Sequence, residues 1–312
     1  MAKALRWGTR SGRGDRMRWF HEGVDRLHVA LARRFVPAVF RGGVISPTLH
    51  EHLAAIHLEL PPLTAARRYT ITARTLVGDL EAGFQVRPGP RPDVPVLVYH
   101  HGLGEMPYDK SFRGIFRART PVAAHLVAVH APFHRSWFEL FPGLATLGNL
   151  LAMCAVAIKL VESVRLRLVE HGARGSLVTG ISLGGFVTLM HHLTYGTADG
   201  YVPMLAGPDL AHIILDTHYR HYLAPQALEN PAPIKALLDF RQAFQASDTH
   251  RIFPLLARYD LDMVYAHHHA CYTASGVPTV TIERGHITGA LAFTALRTHL
   301  LSCLRALAPT AS

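Results

Sequence analysis

From residue 94 onward, short apolar runs recur between stretches of helical length, and this rhythm constrains the fold more than any other feature of the chain. The run VPVLVY at 94–99 is almost wholly apolar, the mark of a strand buried on both faces of a parallel sheet. Further strands are predicted at 126–130, 176–179, 201–205, 252–257 and 279–282, with helices at 144–170, 183–195, 263–275 and 287–306. Strands separated by helices build βαβ units, and hence a mostly parallel sheet covered on both faces. Ahead of them, YTITARTLV at 69–77 alternates as a strand does, and Gly78-Asp79 turns the chain into a second strand near 82–86. The segment 207–249, between two strands, is long enough for a small helical cap.

Composition narrows the class. Hydrophobic residues are 49% and charged residues 17% of the 312, enough apolar matter for a sizeable core and incompatible with a mainly disordered chain. Residues 1–41 carry ten Lys and Arg against Asp15, Glu22 and Asp25, so +7 of the net +10 sits in an N-terminal arm. Within that arm, Phe20, Val24, Leu27, Leu31 and Phe35 recur at helical spacing over 17–36, a stripe ended by Pro37. We expect this arm (1–60) to cover the core with its apolar stripe, or to make peripheral contact with a membrane, and its first part, residues 1 to about 41, to be dispensable for chemistry. No nucleic-acid-binding motif accompanies the charge. Residues 144–158 are apolar except for Thr146 and Asn149, but Lys159 and Glu162 stop the run short of the ~20 residues a membrane span needs. Cys154, Cys271 and Cys303 are too few and too scattered for a disulfide framework or a cysteine-based zinc site. The basic, broken N-terminus does not read as a secretory signal, so a reducing, cytoplasmic setting is expected.

The chemistry-bearing residues lie where predicted strands end. Gly180-Ile181-Ser182-Leu183-Gly184-Gly185 stands between a strand and a helix, and G-x-S-x-G in that setting is a nucleophile elbow. The turn must lift the Ser182 hydroxyl off the sheet edge, and it crowds its neighbours, so small residues flank it. His100-His101-Gly102-Leu103-Gly104-Glu105 follows the buried strand 94–99. A loop there can aim a backbone N–H, that of Leu103, at an oxyanion, with a second N–H from Leu183 after the nucleophile.

Taken together, the glycine loop after one strand, the elbow after another, an Asp after a later strand and a His after the last resemble the α/β-hydrolase family over roughly residues 69–306. The resemblance implies a single α/β-hydrolase-like domain (61–312) with a central, mostly parallel sheet of about eight strands flanked by helices. It also implies the chain order Ser, acid, His. His286 follows the strand 279–282 through Arg284-Gly285, where the family places its base. Asp260 and Asp262 both follow the strand 252–257 and either carboxylate can orient His286; Asp260, nearer the strand end, is preferred, leaving Asp262 a turn or N-cap role.

Other histidines fit less specific roles. His134, His212 and His218 each follow a strand end and can line the pocket or face solvent. The run His267-His268-His269 looks like a metal cluster, but neighbours on a helix face different ways, and no acidic or cysteine ligand is read on the same face, so no metal is expected. The expected activity is that of a serine hydrolase of the carboxylesterase type, cleaving an ester or thioester through an acyl-enzyme on Ser182 without a cofactor. Amidase and acyltransferase chemistry share that logic. Its partner would be a small acyl substrate with an apolar part, held by cap residues Tyr219, Tyr222, Leu223, Leu237, Leu238 and Phe240. The alternative is a catalytically idle scaffold of the same fold that docks through its arm.

Overall fold

A computed structural model describes residues 11–63, 68–117 and 121–307. The first ten residues of the basic arm lie outside them. Eight strands form one sheet in the order β1-β2-β4-β3-β5-β6-β7-β8. The strands are β1 (Arg68–Thr75), β2 (Gly78–Arg87), β3 (Val96–His100), β4 (His125–His130), β5 (Ser176–Ile181), β6 (Gly200–Met204), β7 (Leu255–Ala257) and β8 (Val280–Ile282). β1 and β2 run antiparallel to their neighbours, and every pairing from β4 to β8 is parallel. The helices that matter below are α1 (Ser11–Ala32), α2 (Leu147–Glu170), α3 (Leu183–Thr194), α4 (Leu210–Asp216), α5 (Tyr265–Ala274), α6 (His286–Ala290) and α7 (Phe293–Leu307).

Burial explains why the central strands read so clearly. All five residues of β3 are buried, and alternate side chains enter two different cores. Val96 and Val98 join the core under α2 and α3, while Leu97 and Tyr99 join the one under α7. β1, at the sheet edge, buries only Ile71 and Ala73 and leaves the residues between them exposed, the alternation of a strand with one wet face. The register sets His100 level with Gly180, Ile181 level with Met204, and Ala257 level with Ile282. The loops after β3, β5, β7 and β8 therefore all open on the carboxyl edge of the sheet, where ligands bind in folds of this kind.

The helix α2 is long and apolar enough to cross a membrane by length and composition, yet most of it is buried against the sheet. Fully burying each of its Leu, Ile and Val side chains contributes roughly 1.5–3 kcal/mol. Its buried charge, Glu162, is matched by Arg165 at 2.7 Å and by His191 of α3 at 3.1 Å. That pairing ties α2 to the helix that carries the elbow.

Several expectations needed adjustment. Strand β7 starts at Leu255 rather than 252, because Pro254 has no N–H to give the ladder; Ile252 makes only an isolated bridge to Tyr201. The helix expected over 287–306 is two, α6 and α7, broken at Leu291-Ala292. The arm docks on the face opposite to the expected one. His21, Glu22, Asp25 and Val29 are buried, whereas Phe20, Leu27, Leu31 and Phe35 are all more than half exposed.

Between β6 and β7 the chain folds into short helices, as a small cap would, but not around an acyl pocket. Leu223, Leu238 and Tyr222 are buried in the packed interior, and the Tyr222 hydroxyl donates to the carbonyl of Val29 in α1. Of the six cap residues expected to hold an acyl group, Tyr219 is the one that reaches the site described next.

Candidate active site

Ser182 sits at the turn from β5 into α3 with φ 54° and ψ −117°, a conformation L-residues rarely adopt. Close contact explains the glycines around it. A Cβ on Gly184 would lie 2.1 Å from the carbonyl oxygen of His100, and one on Gly180 would strike the backbone of Gly184. The turn leaves Ser182 partly exposed above a buried sheet edge.

His286, the first residue of α6, points Nε2 at the Ser182 Oγ at 3.1 Å. Its Nδ1 lies 2.8 Å from Asp260 Oδ2. Because a carboxylate only accepts, Nδ1 carries the proton and Nε2 is left to accept from the serine hydroxyl. The structure thus brings Ser182, His286 and Asp260 into one hydrogen-bonded line.

Asp260 also does what was expected of its neighbour. Its Oδ1 accepts the backbone N–H groups of Asp262 and Met263 at 2.9 and 2.7 Å, so the turn is held by Asp260 and not by Asp262. Asp262 is buried instead beside the nucleophile side of the imidazole, 3.9 Å from His286 Nε2. Tyr219 donates its hydroxyl to Asp262, and the His218 ring faces the same carboxylate. Burial alone would push Asp262 up, but His286, His218 and Tyr219 outweigh it and hold the carboxyl below its ordinary value. Burial also pulls His286 down, yet Asp260, Asp262 and Asp25 together hold the imidazole above its ordinary value.

Asp25, from the arm, reaches the site, although by sequence it counts only as charge. It is fully buried and lies across the N-terminus of α6. Its carboxylate accepts the backbone N–H of His286 at 2.8 Å and of Ile287 at 3.1 Å, a favourable place for a negative charge. His21, one turn earlier, contacts the Thr288 hydroxyl at 2.8 Å. The arm is therefore part of the support of His286, which explains why its polar face packs inward. An unsatisfied helix end needed an acceptor there, and an apolar stripe has none to offer.

The loop after β3 is braced by neutral histidines. His101 Nδ1 donates to the carbonyl of Gly102, and its Nε2 accepts the N–H of Ala131 at 3.1 Å. His134 Nδ1 donates to the carbonyl of Pro132, and its Nε2 accepts from Gly104. Burial holds His101 well below its ordinary pKa and His134 at about 4, so both stay uncharged. Glu105 takes the Gly102 N–H at 3.2 Å, and Gly102 itself lies against Ser182. The expected oxyanion pair, Leu103 and Leu183, falls on the two segments that flank the serine.

The remaining histidines divide. His218 faces Asp262, while the His212 ring lies against that of His267, tilted by 37° with ring centroids 3.7 Å apart. His269 turns its Nδ1 to the Thr273 hydroxyl on its own helix, at 3.4 Å. The expectation that no cysteine shares a face with the histidine run does not hold. Cys271 stands one turn beyond His267, and the ligating atoms of His267, His268 and Cys271 lie within 4.8 Å of one another.

No family profile and no curated protein matches the chain. Solved structures do. A carboxyl esterase of Bacillus coagulans superposes with a TM-score of 0.55 at 12% identity, covering 78% of this chain and 99% of that one. An acetyl xylan esterase from Paenibacillus sp. R4 gives 0.54 at 14% identity, covering 80% and 87%. The acylaminoacyl peptidase of Pyrococcus horikoshii gives 0.54 at 11% identity over 78% of this chain, which spans 42% of that peptidase's length. At such identities the likeness shows the fold. This chain has the α/β-hydrolase fold, as the resemblance in its motifs implied.

Proposed function

We propose that the protein is a serine hydrolase that cleaves a carboxylic ester or thioester through an acyl-enzyme on Ser182. The observation that carries this reading is the line from Asp260 through His286 to Ser182, with hydrogen bonds of 2.8 and 3.1 Å. Ser182 Oγ attacks the acyl carbon as its proton passes to His286 Nε2, and Asp260 holds the tautomer and stabilises the imidazolium. The N–H groups of Leu183 and Leu103 receive the oxyanion. The leaving alcohol or thiol takes the proton from His286, and a water activated by the same base then releases the acid. Leu103 and Trp137, both partly exposed along the 102–104 loop, supply apolar surface for an acyl or leaving group in place of the cap residues.

Stopped-flow mixing with a p-nitrophenyl ester tests the covalent step. A nitrophenol burst stoichiometric with enzyme is expected. Absence of both burst and turnover would favour the idle scaffold.

The two arm and loop carboxylates make separate predictions. The base form of His286 is required, so kcat/KM falls as pH drops through the folded pKa of His286. Because that pKa is raised, the acid limb should lie above the ordinary imidazole value of about 6.5. Asp262→Asn removes a charge 3.9 Å from Nε2 and should move the limb to lower pH. An unmoved limb would show that Asp262 does not act on the base. Asp25→Ala removes both acceptors beneath His286 and should lower kcat on the order of 10- to 100-fold, the cost of a misplaced catalytic group. Asp25→Asn, which keeps one acceptor, should recover part of it; equal loss in both, or none in either, would remove Asp25 from the account.

A further inference from the structure

The second cluster of chemistry-bearing side chains lies on α5, away from Ser182, and nothing in the proposed reaction uses it. His267 and His268 are adjacent, and Cys271 follows at four and three residues, so on a helix the cysteine falls between the two imidazoles. Cys271 is a free, nearly buried thiol.

Two features distinguish this group from chance packing. First, His268 is fully buried with its ring against the backbone of Gly207, and neither ring nitrogen has a hydrogen-bond partner among the described residues. A neutral imidazole always carries one N–H and one lone pair, and leaving both unmet in the interior is costly. Second, His267 gives its Nε2 to Asp209 Oδ2 at 2.9 Å while the ring also interacts with the Cys271 thiol. A carboxylate behind a histidine is the arrangement that orients metal-bound imidazoles. Asp209 is itself held by the N–H of His212 at 2.9 Å and by Arg241 at 3.2 Å. His212, whose ring lies against that of His267, has a buried Nδ1 with no partner among the described residues.

We propose that His267, His268 and Cys271 bind a zinc ion, with Asp209 orienting His267 and water taking the fourth position. Two imidazoles and a thiolate suit zinc, whereas magnesium or calcium would require oxygen ligands. On binding, the Cys271 thiol gives its proton to solvent and the thiolate sulfur forms the bond to the metal; no electron is transferred. The ion would join α5, which follows the loop of Asp260 and Asp262, to the start of α4, where the cap begins. Its role is structural, and the inference does not depend on the hydrolase reading.

Cobalt(II) is the probe. Full-length protein stripped with chelator and dialysed should take up one equivalent of cobalt and show the intense near-ultraviolet thiolate-to-cobalt band, together with visible bands of a tetrahedral site. Zinc should displace the cobalt and raise the melting temperature. Cys271→Ser should lose the near-ultraviolet band, and Asp209→Asn should weaken binding by about 10- to 100-fold. Should Cys271→Ser fail to fold, His268→Gln serves in its place, with affinity for cobalt expected to fall by roughly tenfold or more. Wild-type protein that shows no thiolate band at stoichiometric cobalt would overturn the proposal. So would a band that survives in folded Cys271→Ser, or one abolished by Cys303→Ser.

Discussion

A Ser182→Ala protein is expected to keep its fold and melting temperature while hydrolysing a short p-nitrophenyl ester on the order of 10³-fold more slowly, or worse. The fold should survive because the elbow rests on its backbone. The Ser182 N–H donates to the carbonyl of Met204 at 2.9 Å, and the crowding that fixes the turn comes from Gly180, Gly184 and their neighbours. The hydroxyl's hydrogen bond to His286 is what the substitution removes. Without Oγ no acyl-enzyme forms, and what remains is the smaller contribution of binding and the oxyanion loop. Full turnover in a folded alanine variant would take Ser182 out of the chemistry.

The second large effect is expected at Asp260. Asp260→Asn removes the charge opposite the developing imidazolium and frees His286 to adopt the wrong tautomer, a loss on the order of 10²–10⁴-fold in kcat. The asparagine carbonyl can still accept from the N–H groups of Asp262 and Met263, so stability should fall little. Asp260→Ala loses that cap as well and should cost a further ~0.5–2 kcal/mol. Asp262→Asn should leave kcat near the wild-type value at alkaline pH, because Asp262 faces the other nitrogen of the ring. If the losses appeared in Asp262→Asn and not in Asp260→Asn, the two carboxylates would have to exchange roles.

What could be read in the chain, and what could not, follows from the kind of constraint each residue obeys. β3 and β5 are buried on both faces, so their positions are apolar or small up to Tyr99 and His100 at the end of β3, and the strands stand out. The elbow is legible because the approach of Gly184 to His100 tolerates no side chain, a requirement written directly in residue type. The face of α1 that docks is not legible by periodicity. Its stripe of Phe20, Leu27, Leu31 and Phe35 is a genuine helical pattern, but the buried face was selected by the need for an acceptor at the start of α6, 261 residues away in sequence. The division of labour between Asp260 and Asp262 was hidden for a related reason. Both fit a cap by position, and only the packed loop shows which carboxylate faces the N–H groups. Likewise, His101 and His134 read as two among 22 histidines until β4 brings Ala131 and Pro132 beside the loop they brace.

The central claim, that Ser182 is a nucleophile activated by His286, is tested most directly by a fluorophosphonate probe followed by peptide mapping of the labelled residue. Such probes react with a serine hydroxyl only when a neighbouring base and an oxyanion site assist the attack. The account predicts a single adduct, on Ser182, formed quickly by the wild type, slowly by Asp260→Asn, and not at all by Ser182→Ala. No adduct on folded wild-type protein, or one that maps to another serine and persists in Ser182→Ala, would contradict it.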